Sequence, residues 1–207
     1  MKELLEKIDW LGHSSVKIGG RKVIYIDPWK LKDGEKADLI LISHSHYDHL
    51  SPEDVKKIQK ADTVIVATED SASKLTGDVR TLKPGENLTA HGIRVEAVPS
   101  YNRNKAFHPK ASQWIGFVFT IEGKRIYYGG DTDFIPEMKE IKADIAILPV
   151  GGTYTMTAEE AAQAVDLIKP ETAIPIHYDD IVGSLEDAKR FRDLCKVPVV
   201  IKAKTDP

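Results

Sequence analysis

The segment Ser43-His44-Ser45-His46-Tyr47-Asp48-His49-Leu50 places three of the chain's seven histidines, and a carboxylate, within six positions. Neutral imidazole nitrogens and carboxylate oxygens are the donors that zinc and other borderline divalent metals accept. Alternate side chains of an extended segment point the same way, so His44 and His46 can converge on one ion. Asp48 and His49, where the chain turns, then face a second. The bland alternative is a solvated polar loop. Two ions need further ligands, and Asp131 and His177 are the candidates. Asp131 follows Gly129-Gly130, which let the backbone turn sharply, and a carboxylate there can bridge cations held roughly 3.5–4 Å apart. A helix cap for residues 136–141 falls more naturally to Thr132 or Asp133. His177 ends an apolar, proline-flanked strand, where the competing role is a satisfied core imidazole.

The elements that must carry these residues read as two β-rich halves with helices. Strands are predicted at 8–11, 15–18 and 22–26, with Gly19-Gly20 as a hairpin turn, then at 38–42 leading into the His cluster. A helix at 52–58, a strand at 63–67, a short helix at 70–75 and strands at 78–82 and 92–98 follow. After the polar stretch 99–113 comes a hairpin, 114–121 and 124–128, joined by Glu122-Gly123. The last part alternates: strand 144–150, helix 157–168, strand 172–176, helix 184–194 and strand 198–201. Thr157 and Glu160 have capping-box spacing. Ligands in α/β sheets gather at the carboxyl ends of strands. Asp27, His44, Tyr101-Asn102, Asp131, Tyr154 and His177 each follow a strand, so six strand ends suggest one shared rim. Tyr101 and Tyr154 on that rim could hydrogen-bond a substrate or an oxyanion, although a Tyr with its hydroxyl in water is common.

Length and composition fit one domain spanning 1–207, since 207 residues with 42% hydrophobic side chains can bury a core without staples. The single cysteine, Cys195, excludes an internal disulfide and reads as a small core residue. The charged N-terminus lacks a signal-peptide core and no apolar run reaches a membrane span, so a cytoplasmic protein is expected. A net charge of −3 and the absence of a basic stripe make nucleic acid an unlikely partner. Self-association to a homo-oligomer stays open.

The combination of His44-Ser45-His46-Tyr47-Asp48-His49, glycine-preceded Asp131 and strand-terminal His177 resembles the motifs of the metallo-β-lactamase fold superfamily. Trp10-Leu11-Gly12-His13-Ser14-Ser15, Ile26-Asp27-Pro28, Tyr128-Gly129-Gly130-Asp131-Thr132-Asp133 and Pro149-Val150-Gly151-Gly152-Thr153-Tyr154 resemble its branch of small metal-dependent hydrolases that includes the ascorbate-6-phosphate lactonase-like proteins. The resemblance implies a four-layer αβ/βα sandwich with metals at one edge. It implies His44 and His46 on the first metal, Asp48, His49 and His177 on the second, Asp131 between them, and Asp27 orienting the His loop. The family's usual third histidine for the first metal is absent, Tyr101-Asn102 standing there instead; His108, in the loop that follows, is the nearest substitute, and an exposed loop histidine is the alternative. His13 occupies a position common in the branch, either lining the pocket as a proton donor or hydrogen-bond partner or holding the sheet.

Two divalent ions, Zn2+ by default and Mn2+ through the branch resemblance, would acidify a shared water and make the chain a hydrolase, with Asp48 steering the proton as well as ligating. Arg103, Lys105 and Lys110 around His108 favour an anionic small substrate, such as a phosphorylated lactone, ester or phosphodiester; a solvated basic loop competes. The other class of function is a non-catalytic binding or regulatory protein that keeps the fold with a degraded metal site. A phosphodiesterase or nuclease is a further alternative.

Overall fold

Runs of β-branched and aromatic residues form two six-stranded sheets in the computed structural model, which describes residues 1–205. The first sheet holds β1 (Ile8–Gly12), β2 (Ser15–Ile18), β3 (Ile24–Ile26), β4 (Leu39–Leu41), β5 (Val64–Ala67) and β6 (Asp78–Thr81) in chain order. β1 to β3 are antiparallel, and β3 to β6 are parallel. The second sheet holds β7 (Asn87–Ala90), β8 (Ile93–Pro99), β9 (Ile115–Ile121), β10 (Lys124–Tyr128), β11 (Ile145–Pro149) and β12 (Thr172–Ile176), also in chain order. Here β7 to β10 are antiparallel and β10 to β12 parallel. Both sheets thus pass from hairpins to parallel strands, and parallel strands bring their carboxyl ends to one edge.

Burial explains the layers. In β4 the side chains of Leu39 and Leu41 enter the core between the sheets, while Ile40 and the following Ile42 pack with Val55 and Ile58 of helix α2 (Pro52–Ile58). A strand covered on both faces needs a continuous apolar run, which residues 39–42 supply. On the far side, α4 (Ala158–Ile168) packs on β11 and α5 (Leu185–Leu194) on β12. The order helix, sheet, sheet, helix is the αβ/βα sandwich that the resemblance implies. Caps fix the helix starts: Ser51 accepts from the Asp54 N–H, and Thr157 and Glu160 close the expected capping box. Helices α1 (Lys2–Glu6) and α3 (Glu69–Ala72) are short.

The structure departs from expectation at five points. Strand β7 was not foreseen, because Asn87-Leu88-Thr89-Ala90 is a half-exposed edge segment of weak β-propensity that pairs only with β8. Helix α1 was likewise unforeseen. The strand expected at 198–201 is reduced to a single bridge, Ala173 to Val199, since Pro198 has no N–H to donate to a ladder. That segment continues to a second bridge, Lys204 to Trp10, so residues 198–205 run from the edge of β12 across to the edge of β1. Residues Pro136–Glu140 form a 3-10 turn that begins after Ile135 without a side-chain cap, so neither Thr132 nor Asp133 caps it. Cys195 is only half-buried, and burial pushes its thiol up to about 11, which makes it a poor nucleophile.

Asp38, at the entry to β4, gives a pH-dependent test of this half of the fold. Its buried carboxylate accepts from the Val23 N–H at 2.9 Å and from Lys60 and Lys22 at 2.8 and 3.2 Å. Burial alone would raise its pKa, but these donors outweigh it and hold the carboxyl at about 2. A pKa depressed below the unfolded value of about 3.9 stabilises the fold above that value. That stability is lost as pH falls through the folded value. Asp38→Asn is expected to cost about 1–2 kcal/mol at pH 7. Urea midpoints should show the wild-type advantage shrinking between about pH 4 and pH 2; a gap that stays constant over that range would contradict the assignment.

Candidate metal centre

The carboxyl ends of β3, β4, β10 and β12, with the loops after β1 and β8, deliver nine histidine and aspartate side chains to one region. His44 and His46 come from the turn after β4, and the chain then curls so that the N–H groups of His49 and Leu50 both reach back to the His46 carbonyl. His44, His46 and His108 form one group of donors, and His13, Asp48, His49 and His177 a second; within each group the ligand atoms lie within 4.8 Å of one another. Asp131 touches both. Its Oδ2 is 3.2 Å from His108 Nε2 and 3.1 Å from His177 Nε2, and its Oδ1 is 3.2 Å from His49 Nε2. Gly130 makes this approach possible: at φ +62° a side-chain Cβ there would lie 3.2–3.3 Å from Ile115 O, Ser100 Oγ and Ser43 Cβ.

Hydrogen bonds behind the imidazoles decide which nitrogen faces inward. Asp27 is fully buried and accepts from Ser43 N–H at 2.7 Å, Ser43 Oγ at 2.5 Å, His49 Nδ1 at 2.7 Å and the Tyr128 hydroxyl at 2.8 Å. His49 therefore carries its proton on Nδ1 and turns Nε2 to the site. Because Ser43 Oγ donates to Asp27, it accepts from His44 Nδ1 at 2.9 Å, which frees His44 Nε2. The same logic holds for His108, whose Nδ1 donates to Asn102 Oδ1 at 2.9 Å. Asn102 is oriented in turn, its amide donating to Asp133 Oδ1 and to the Tyr154 carbonyl. Three front-line imidazoles thus present lone pairs, each fixed from behind.

His44 Nε2 lies 3.1 Å from His46 Nδ1, while the other two lone pairs lack partners of their own. His49 Nε2, His108 Nε2 and Asp131 Oδ1 are buried and accept no hydrogen bond, which is costly for polar atoms removed from water. A cation held among them would satisfy them, and the all-nitrogen-and-oxygen donor set suits a divalent metal. The electrostatics agree with such a cluster. Burial, reinforced by the neighbouring His49, holds the His44 imidazole well below its usual range. Burial opposes ionisation of Asp131, but His177 and His49 outweigh it and keep the carboxyl well below the ordinary carboxylate value. His49 is raised well above its usual pKa, because Asp131 and Asp27 outweigh its burial.

Several expected residues take other positions. His108 is not an exposed loop residue: Asn102 N–H donates to the His108 carbonyl, His108 N–H donates to Asn102 Oδ1, and a bridge between Asn102 and Pro109 folds the loop back so that His108 is 2% exposed. His13 does not line the cleft; it is buried behind Asp48, with Nε2 3.0 Å from Asp48 Oδ2 and its ring 4.0 Å from that of His177. Tyr101 points away from the site, its hydroxyl bound to Glu137 at 2.9 Å. Tyr154 does line the cleft. Lys105 and Lys110 are engaged in ion pairs with Asp133 and Glu137 and do not face the cleft. The sequence reading passed over Trp114, whose ring lies 4.8 Å from His44 and 4.7 Å from His46, and Asp70, which anchors both Trp114 Nε1 and Ser45 Oγ. A tryptophan at a strand start carries no signal for that role.

A four-layer sandwich with a His/Asp cluster at the carboxyl ends of its strands is the architecture of metal-dependent hydrolases of the metallo-β-lactamase superfamily, and the sequence agrees. The family model for the beta-lactamase superfamily domain matches residues 7–177, and the chain belongs to that family. Among curated relatives, a UPF0173 metal-dependent hydrolase of Thermoplasma acidophilum is 37% identical over 209 residues, covering 91% of this chain and 90% of that protein. One from Pyrococcus abyssi is 32% identical over 216 residues, covering 94% and 95%. A crystal structure from Parabacteroides distasonis, assigned to the metal-dependent hydrolases, superposes with a TM-score of 0.84 at 37% identity, covering 94% of this chain and 91% of that one. A metallo hydrolase from Ignicoccus hospitalis gives a TM-score of 0.74 at 25% identity, covering 94% of each chain. No helix among the described residues is long and apolar enough to cross a membrane.

Proposed function

We propose that this metal-dependent hydrolase holds two divalent ions and uses them to cleave a small ester, lactone or phosphodiester. The observation that carries the proposal is Asp131, whose two oxygens reach imidazoles of both donor groups while unpartnered buried lone pairs converge around it. His44, His46 and His108 would hold the first ion; Asp48, His49 and His177 the second; Asp131 both. Zinc is the first choice and manganese the second. Two ions so held supply an acidified water and polarise a carbonyl or phosphoryl oxygen.

The chain's own groups do the rest. Ser43, Asp27 and Asn102 each engage Nδ1 of one imidazole and so turn its Nε2 towards the site. Asp48 stands in the wall of the cleft, with Oδ2 held by His13, and its other oxygen can take up the proton that leaves the attacking water. Burial works against ionisation of Asp48, but the His13 hydrogen bond and His49 outweigh it, so the carboxylate is charged and ready as acceptor. On this reading His108, buried beside His44 and His46, takes the place of the missing third histidine, which favours the hydrolase over the degraded-site alternative.

The test is metal content per chain after reconstitution with zinc or manganese. Wild type is expected to hold two equivalents and His108→Ala about one. Asn102→Ala should keep both sites but weaken one about 10–100-fold, as loss of an orienting partner does. Two tightly held equivalents in His108→Ala would remove His108 from the ligand set, and no retained metal in wild type would sink the proposal.

A further inference from the structure

The cleft above the donor groups differs from what a site for an anion would offer. It encloses about 230 Å³ and is lined by His46, Tyr47, Asp48, Phe107, His108, Asp131, Tyr154 and Ile181. Leaving aside the metal-directed residues, its walls are three aromatic rings and one isoleucine. No lysine or arginine lines it. Of the six large hydrophobic side chains exposed among the described residues, three stand at this mouth: Tyr47, Phe107 and Ile181. Phe107 and Tyr154 meet edge to face at 4.6 Å, which holds that wall in a defined shape.

A second observation concerns Ile181 alone. Its φ is +63°, a conformation that a β-branched residue adopts only under strain. The turn is held there by the Val182 N–H to Asp180 carbonyl bond at 2.7 Å and by Lys30, which ties Asp180 at 2.8 Å. The loop therefore keeps an exposed apolar side chain in a strained backbone, at the rim of the metal centre, where glycine or asparagine would be relaxed. Strain of this kind persists where surrounding structure over-determines it, and it clusters at ligand clamps.

We propose that Tyr47, Phe107, Tyr154 and Ile181 form an apolar acyl- or aryl-binding subsite, so that the preferred substrate carries an uncharged alkyl or aryl group beside the bond that is cleaved. The proposal rests on the hydrolase reading and sets its substrate class. Drug-sized ligands occupy pockets of about 300–1,000 Å³, so this smaller cleft suits a group of one ring or a short chain. Arg103, exposed and without an ion-pair partner among the described residues, does not line the cleft.

The experiment compares 4-nitrophenyl butyrate with 4-nitrophenyl hemisuccinate, which replaces the terminal methyl by a carboxylate, on the metal-loaded full chain. The butyrate is expected to be favoured in kcat/KM by about tenfold or more. Phe107→Ala and Ile181→Gly should each shrink that preference through a higher KM for the butyrate, with metal content unchanged. Ile181→Gly should leave the thermal midpoint unchanged or raise it, since glycine accepts this φ; a merely structural isoleucine would lower it. Equal rates, or preference for the hemisuccinate, would overturn the subsite while leaving the hydrolase intact. If neither ester turns over, calorimetric binding of the uncharged ketone 4-phenylbutan-2-one decides. Binding that is weakened in both variants supports the subsite without the hydrolase; absence of binding overturns the subsite.

Discussion

Alanine in place of Asp131 is expected to abolish hydrolysis, lowering kcat/KM by at least about a thousandfold, or about 4 kcal/mol of transition-state stabilisation. The reason is positional. Asp131 is the group whose oxygens reach His49, His108 and His177 together, so its loss uncouples the two donor groups instead of weakening one. Metal content should fall from two equivalents to one or fewer. Folding should suffer too, because three imidazoles lose a buried carboxylate, and removing one partner of such a set costs about 3–5 kcal/mol. Elemental analysis, ester hydrolysis and urea midpoints on the chelator-treated protein separate these effects. A variant that keeps both ions and most activity would refute the bridging role.

Asp27→Asn is the second large effect, and it works from behind the site. All four groups around this carboxylate are donors, so an amide must turn one NH2 towards another donor. Oδ1 accepts from Ser43 N–H alone and Oδ2 from the other three, so at least one acceptor contact is lost at zero exposure, at a cost of about 1–3 kcal/mol in stability and about 10–100-fold in metal affinity. Backbone strain cannot explain such a loss, since Asp27 has φ +46° and asparagine is among the residues most at ease there. Tyr128→Phe, which removes a single donor, should cost only about 1 kcal/mol. Competition with a chromophoric chelator measures the affinity; unchanged affinity in Asp27→Asn would show that the His loop orients itself.

What the sequence made legible follows from how local each signal is. His44, His46, Asp48 and His49 are neighbours in the chain, and Asp131 and His177 stand where apolar strands end, so residue type and position suffice to find them. Asn102 is different. Its role needs the loop from 102 to 109 to close, and that closure depends on Asp133, which accepts from Asn102, the Arg103 N–H and Lys105 across about thirty residues of sequence. The same distance hid the fate of the basic loop: Lys105 and Lys110 look like an anion hook until Asp133 and Glu137 are seen beside them. Tyr101 leaves the rim for Glu137, because a strand's end locates a side chain without giving its direction. The apolar cleft was not readable, since Tyr47, Phe107, Tyr154 and Ile181 lie on four separate loops.

The crossing of residues 198–205 from β12 to β1 has a kinetic meaning. The outer strand of each sheet offers unpaired N–H and C=O groups that can template pairing with another chain. Here one edge of each sheet is covered by the same segment, through Val199 beside Ala173 and Lys204 beside Trp10. Trp10 meets its neighbour only after nearly two hundred intervening residues have folded, a sequence separation that slows closure. During refolding both edges stay exposed until that last step, so the yield of native protein should fall as protein concentration rises, most steeply in variants that loosen the crossing segment.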